Sequence, residues 1–166
     1  MLFYDIVKTG LGYMALVFKQ NHTLVYISLP EKNKENLLKR ILNKINDSIK
    51  PEIFPERDLF ISYFSGKKTE FSKLKIDLDY FSPTEFQKSV WSACALVPYG
   101  NTITYKQLGI IIGSTAYRAI GNSLAKNPLP LIIPCHRILS KNSLGGFSAS
   151  EGIALKKKML SLEGIL

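Results

Sequence analysis

The β-rich segments of this chain are gathered at its start, and beyond residue 30 most of the sequence reads as helix and turn. Phe3–Val7, Tyr13–Phe18 and Thr23–Leu29 are rich in β-branched and aromatic residues, with turn residues between them at Thr9-Gly10 and Gln20-Asn21. Strands first and helices after indicate an α+β fold. Pro30 stops the third strand. Leu37, Leu38, Ile41, Leu42 and Ile45 then recur at helical spacing, and Leu59–Phe64 predicts a second short helix ending before Gly66. The polar stretch Gly66–Lys75 precedes a boundary near Tyr80. Residues 1–79 are therefore expected to form a small N-terminal support domain with a short antiparallel sheet and helices. Residues 80–166 are expected to form a mostly helical C-terminal domain.

The charge distribution sets the halves apart. Residues 1–80 hold thirteen Lys/Arg against ten Asp/Glu, a net of +3; residues 81–166 hold nine against three, a net of +6. An acid-poor, basic second half favours a polyanionic partner, with nucleic acid ahead of an anionic membrane surface. No apolar run approaches the roughly 20 residues needed to span a bilayer. Met1–Gly10 lacks the apolar centre of a signal peptide, which suggests a protein that stays in the cytoplasm. Two cysteines, Cys94 and Cys135, suit reduced thiols better than an oxidised scaffold. With only His22 and His136 as histidines, no metal site is expected.

Ser82-Pro83-Thr84-Glu85 reads as a helix start with Ser82 as cap, and Phe86, Val90, Trp91 and Leu96 give that helix its apolar face. Cys94, on or beside it, reads as a buried small hydrophobe. Tyr105–Ile112 is a short helix closed by Gly113. Ser114 or Thr115 then caps a second helix running to about Lys126, ended by Asn127-Pro128. The pair makes a helix-turn-helix pattern, in a winged-helix-like unit. Ile120 and Leu124 form one side of the second helix. Thr115, Arg118, Asn122 and Lys126 recur on another, and Ala119, Gly121, Ser123 and Ala125 are small enough to let the backbone approach a ligand. An ordinary solvated face has the same stripe, but with the local positive charge the balance favours DNA.

Leu129–Ile133 is an apolar run between prolines that delivers Pro134-Cys135-His136-Arg137. A cysteine in apolar surroundings is usually inert. Adjacent His and Arg change that expectation, because proton-accepting or cationic neighbours favour the thiolate. On extended backbone, successive side chains point to opposite sides, so His136 cannot easily bond Cys135 directly; a turn or a bridging water is needed. A third group should orient the imidazole, and the candidates in the second half are Glu85, Glu151 and Glu163. Glu163, following the helix Ile153–Leu162, is the best placed.

The segment Pro134-Cys135-His136-Arg137-Ile138, after Asn127-Pro128 and an apolar run, resembles the active-site segment of the O6-alkylguanine-DNA alkyltransferases. Phe86-Gln87, Val90-Trp91, Pro98-Tyr99-Gly100, Thr104-Tyr105 and Arg118-Ala119-Ile120-Gly121 fall in that family's order, as do Gly145-Gly146-Phe147-Ser148, Lys156 and Glu163. The resemblance implies stoichiometric, self-inactivating transfer of an alkyl group from O6-alkylguanine in duplex DNA, and from O4-alkylthymine as well, to Cys135. It implies a monomer working without a cofactor. His136 would deprotonate Cys135 through a water, with Glu163 holding His136 and Asn127 bracing the turn. Tyr105 would donate its hydroxyl to the guanine. The segments at Cys135, Ile138 and Ser148 would line the base pocket, and Arg118 would replace the flipped nucleotide in the duplex. Thr115, Ala119, Gly121 and Asn122 would face DNA, and Arg137 would pair inside the fold.

Phe147 stands where the family usually has Tyr, Ala149 and Ser150 where Gly is common, and Ser140–Ile153 differs in length by one or two residues. The rival reading is a helix-turn-helix DNA-binding module without chemistry, in which Cys135 merely packs. A cysteine hydrolase is disfavoured by the Cys-His adjacency and the lack of an oxyanion-hole signature.

Overall fold

The computed structural model describes residues 1–166, which divide into two compact units, Met1–Tyr80 and Phe81–Leu166. In the first, β1 (Leu2–Thr9) and β2 (Gly12–Lys19) form an antiparallel hairpin that closes at Thr9 opposite Gly12. Gly12 has φ +129°, and a Cβ there would lie 2.6 Å from the Glu31 carbonyl oxygen, so only glycine fits that corner. β3 (Leu24–Ile27) pairs antiparallel with β2, and β4 (Ile49–Pro51) adds to the other side of β1 in parallel, giving the order β3-β2-β1-β4. The short antiparallel sheet thus carries a parallel edge that composition did not reveal. β4 is three residues long and ends on Pro51, which lacks a backbone donor and is tolerated at a sheet edge.

Met14–Phe18 are consecutively buried, so β2 is covered on both faces. Helix α1 (Lys34–Lys44), capped by the Asn33 side chain, places Leu37 and Ile41 against Ala15. Phe18 packs on Phe54, and Phe54 on Phe60 of α2 (Arg57–Phe64).

In the second unit, α3 spans Glu85–Ala95. Its cap is Thr84, not Ser82. Thr84 Oγ1 accepts from the Gln87 N–H, and Gln87 Oε1 accepts from the Thr84 N–H, while Ser82 sits at φ 49° before the helix begins. Val90, Trp91, Ala93 and Cys94 are its buried residues; Leu96, expected on the apolar face, is 77% exposed. Trp91 Nε1 donates to the Ser123 carbonyl at 2.8 Å. That bond fastens α3 to α5 (Tyr117–Ala125).

α4 (Tyr105–Ile112) opens with a Thr104/Gln107 capping box and closes on left-handed Gly113. Neither Ser114 nor Thr115 caps α5. The helix starts later, behind Ala116, and Ser114 Oγ instead accepts from the Ala116 N–H inside the turn. The tight point of the helix-turn-helix is Gly109, where a Cβ would stand 2.5 Å from the Ser114 carbonyl oxygen. β5 (Ile103–Thr104) and β6 (Ile138–Leu139) pair in parallel, and α6 (Gly152–Leu162) ends the unit. No helix is long and apolar enough to cross a membrane.

Candidate active site

After α5 the chain folds back on itself around Asn127. Its Oδ1 accepts from the Leu129 N–H at 2.9 Å and its Nδ2 donates to the Ile133 carbonyl at 2.7 Å, so one side chain braces both ends of the apolar loop. Leu129, Leu131 and Ile133 are buried, and Leu131 is held at φ 78°, an unfavourable conformation for leucine. That loop leads into a single 3₁₀ turn, Cys135–Arg137. With three residues per turn, the side chains of Cys135, His136 and Arg137 fan apart by about 120°. A turn is one of the two alternatives that the adjacency of Cys135 and His136 left open.

Cys135 is partly exposed, whereas His136 is fully buried. His136 Nε2 lies 2.7 Å from Glu163 Oε1. The carboxylate only accepts, so Nε2 carries the ring proton and Nδ1 is the basic nitrogen. Glu163 caps the end of α6 and is itself buried. Its Oε1 also accepts from Arg137 Nη2 (3.0 Å), and Oε2 accepts from Arg137 Nε (2.9 Å) and from the Gly100 N–H (3.2 Å). Arg137 Nη1 donates to the Val97 carbonyl at 2.7 Å, and its guanidinium stands over the Tyr99 ring. Nothing in the sequence paired Arg137 with Glu163, 26 residues away; the 3₁₀ turn delivers both His136 and Arg137 to one carboxylate.

A cavity of about 340 Å³ opens beside the thiol, lined by Tyr105, Gly121, Leu124, Ala125, Cys135, Gly146, Phe147 and Ser148. Ile138, expected to line a base pocket, is fully buried outside it, because its place in β6 turns the side chain into the core. Arg118 and Asn122 are exposed on α5, Thr115 is exposed in the turn before it, and Ala119 is half-buried with its carbonyl held by Ser123 Oγ. The structure contains no group of three or more His, Cys, Asp or Glu arranged to hold a metal ion.

Residues 85–165 match the family model "6-O-methylguanine DNA methyltransferase, DNA binding domain". A methylated-DNA–protein-cysteine methyltransferase of Saccharolobus islandicus is 35% identical over 165 residues, covering 99% of this chain and 97% of its own length. One of the same name from Metallosphaera sedula is 43% identical over 105 residues, covering 63% of this chain and 64% of its own length. A crystal structure of Mycobacterium tuberculosis OGT in complex with DNA superposes with a TM-score of 0.79 at 29% identity, over 97% of this chain and 92% of that one. The chain belongs to the methylated-DNA–protein-cysteine methyltransferases.

This methyltransferase holds its thiol protonated at rest. Burial pushes the Cys135 thiol up; the Asn127 side chain, the Lys156 charge and the backbone N–H groups of Cys135 and His136 pull the other way without overcoming it. Burial also holds His136 below the usual imidazole range, against the opposing pull of Glu163, so it is a neutral base near pH 7. The Tyr105 hydroxyl is raised by burial and remains a donor. Cys94 is fully buried and its thiol is pushed far up, as suits a packing residue.

Lys156 is the residue whose place the sequence did not convey. It is fully buried, donates to the Ile138 carbonyl at 2.6 Å and lies 5.8 Å from the Phe147 ring centre. Burial lowers its ammonium to about 8. On α6 it reads as one lysine in a run of three, and only its inward face separates it from exposed Lys157 and Lys158.

Proposed function

We propose that this methyltransferase repairs O6-alkylguanine in duplex DNA by moving the alkyl group to Cys135. The carrying observation is that Cys135, a partly exposed residue, borders a cavity of about 340 Å³ next to a buried His136–Glu163 pair. That volume lies within the range of small-ligand sites, roughly 300–1,000 Å³. An alkylated oxygen inside stacked DNA is out of reach of such a recessed thiol, so the base must be flipped out.

In the reaction, the Cys135 proton passes by a bridging water to His136 Nδ1, and the Glu163 carboxylate stabilises the imidazolium. The thiolate attacks the alkyl carbon, forming the S–C bond as the C–O bond breaks. The released electron pair stays on the guanine, which takes up one proton, so the thiol hydrogen is in effect exchanged for the alkyl group. Tyr105, at the cavity wall, donates its hydroxyl hydrogen bond as charge develops on the base. Ser148 lies at the rim with Oγ on the Ala125 carbonyl at 3.4 Å, and Gly121 lets the base approach α5. Asn127 holds the turn and favours the thiolate. Arg118 fills the space the nucleotide leaves, while Thr115, Ala119 and Asn122 face the duplex.

A thioether does not hydrolyse, so each molecule acts once. Titrating the protein against excess O6-methylguanine duplex should therefore repair one lesion per protein and then stop. Continued turnover would contradict the proposal, as would repair by the Cys135→Ser variant.

A further inference from the structure

A second groove of about 650 Å³ is continuous with the base cavity, sharing Tyr105, Gly121 and Gly146 with it. Three cations line it: Lys106 on the first turn of α4, Arg118 on the first turn of α5 and Lys141 just beyond β6. No carboxylate lines it. The second unit has only three acids, and each is engaged elsewhere: Glu85 with Lys88, Glu151 with Lys158, and Glu163 with His136 and Arg137. The groove cations are thus not neutralised by any acid of their own unit. Thr104, Tyr117 and Ser140 add polar groups to the same walls.

We propose that this groove carries the sugar–phosphate strand on either side of the flipped nucleotide, with Lys106 and Lys141 pairing with its adjacent phosphates. The inference builds on the DNA-repair reading and adds a strand path to it. A base entering the cavity remains tethered to its backbone, which must leave through the space next to Tyr105, Gly121 and Gly146. The groove occupies that space. Arg118 belongs at the duplex stack, whereas the two lysines come from separate elements across from α5. They are point charges on flexible stems, suited to phosphate rather than to base edges.

The test is equilibrium binding of the Cys135→Ser protein to a duplex containing one O6-methylguanine, measured as a function of salt. Each phosphate contact contributes about −0.9 to the slope of log K against log salt. Lys106→Ala and Lys141→Ala should each flatten the slope by about 0.9. Lys157→Ala, which removes an exposed lysine outside the groove, should leave it unchanged. Neutral methylphosphonates flanking the lesion should weaken the Cys135→Ser parent and add little to the loss in the groove variants. The melting temperature of each variant serves as the folding control. Unchanged slopes in the groove variants would overturn the strand path, as would an equal flattening from Lys157→Ala. All binding is read in the Cys135→Ser background, where no alkyl group is transferred, so a failure of the repair chemistry shows separately, as absence of repaired duplex when Cys135 is present.

Discussion

Replacing Glu163 by glutamine isolates what the buried carboxylate does, because the shape is kept and the charge removed. Glu163 accepts hydrogen bonds from His136 Nε2, Arg137 Nε, Arg137 Nη2 and the Gly100 N–H. An amide presents one acceptor oxygen and one NH₂ group, which would face donors it cannot satisfy. The Arg137 guanidinium would stay buried with its countercharge gone, and breaking a buried pair from one side costs about 3–5 kcal/mol. For a chain of this length, each kcal/mol corresponds to roughly 2–4 °C, so E163Q should melt roughly 6–20 °C lower. Arg137→Met in the same background should recover part of the loss, because the stranded cation goes with it. The rate should fall further than stability explains, since His136 loses both its orienting partner and the charge that raises its basicity. Calorimetry with single-turnover kinetics, run where both proteins are folded, provides the comparison. Melting within about 2 °C of wild type, less than the smallest shift that a lost buried pair allows, or an unchanged rate, would refute the assignment of Glu163 as the shared anchor.

Lys156 should give the pH–rate profile its alkaline limb. Its ammonium lies at about 8 and favours the Cys135 thiolate, so the rate constant should stop rising above that pH, and Lys156→Met should lower the rate and remove the limb. His136 is held below its ordinary value of 6.5, so the native state binds fewer protons than the unfolded chain just below that pH. Its contribution to stability is complete above 6.5 and is lost as pH falls from there; the melting temperature should drop on acidification, and less so in His136→Gln. Gly109→Ala should destabilise by about 1–3 kcal/mol through its clash with the Ser114 carbonyl, read as a lower denaturation midpoint. Arg118→Ala should slow reaction with duplex more than with free O6-benzylguanine base, which needs no unstacking; equal slowing would place Arg118 in the chemistry or the fold.

Much of the site was legible because its parts are local or terminal. The apolar loop between prolines and the Cys-His-Arg sequence drew attention to Cys135 and His136, the acid after the last helix was the best placed of three candidates, and the family resemblance gave the three their roles. Boundaries were harder where two registers compete. Ser82 and Thr84 can both start a helix, and the choice falls to Thr84 because Gln87 completes its capping box. Leu96 looked like core by type, but α3 has ended by then and the side chain points out. Contacts across sequence were least legible. The Arg137 pairing with Glu163, the burial of Lys156 and the recruitment of Leu124, Ala125 and Phe147 to the cavity depend on how α5, α6 and the 3₁₀ turn pack. Local pattern does not encode that packing.

If the mechanism is right, Cys135 and no other group accepts the alkyl carbon. Intact mass followed by peptide mapping, after incubation with a duplex bearing one O6-methylguanine, shows where the methyl group goes. A single added methyl group is expected on the peptide containing Cys135, and none in Cys135→Ala. A methyl group on Cys94, more than one methyl per chain, or an unmodified protein beside repaired DNA would contradict the mechanism.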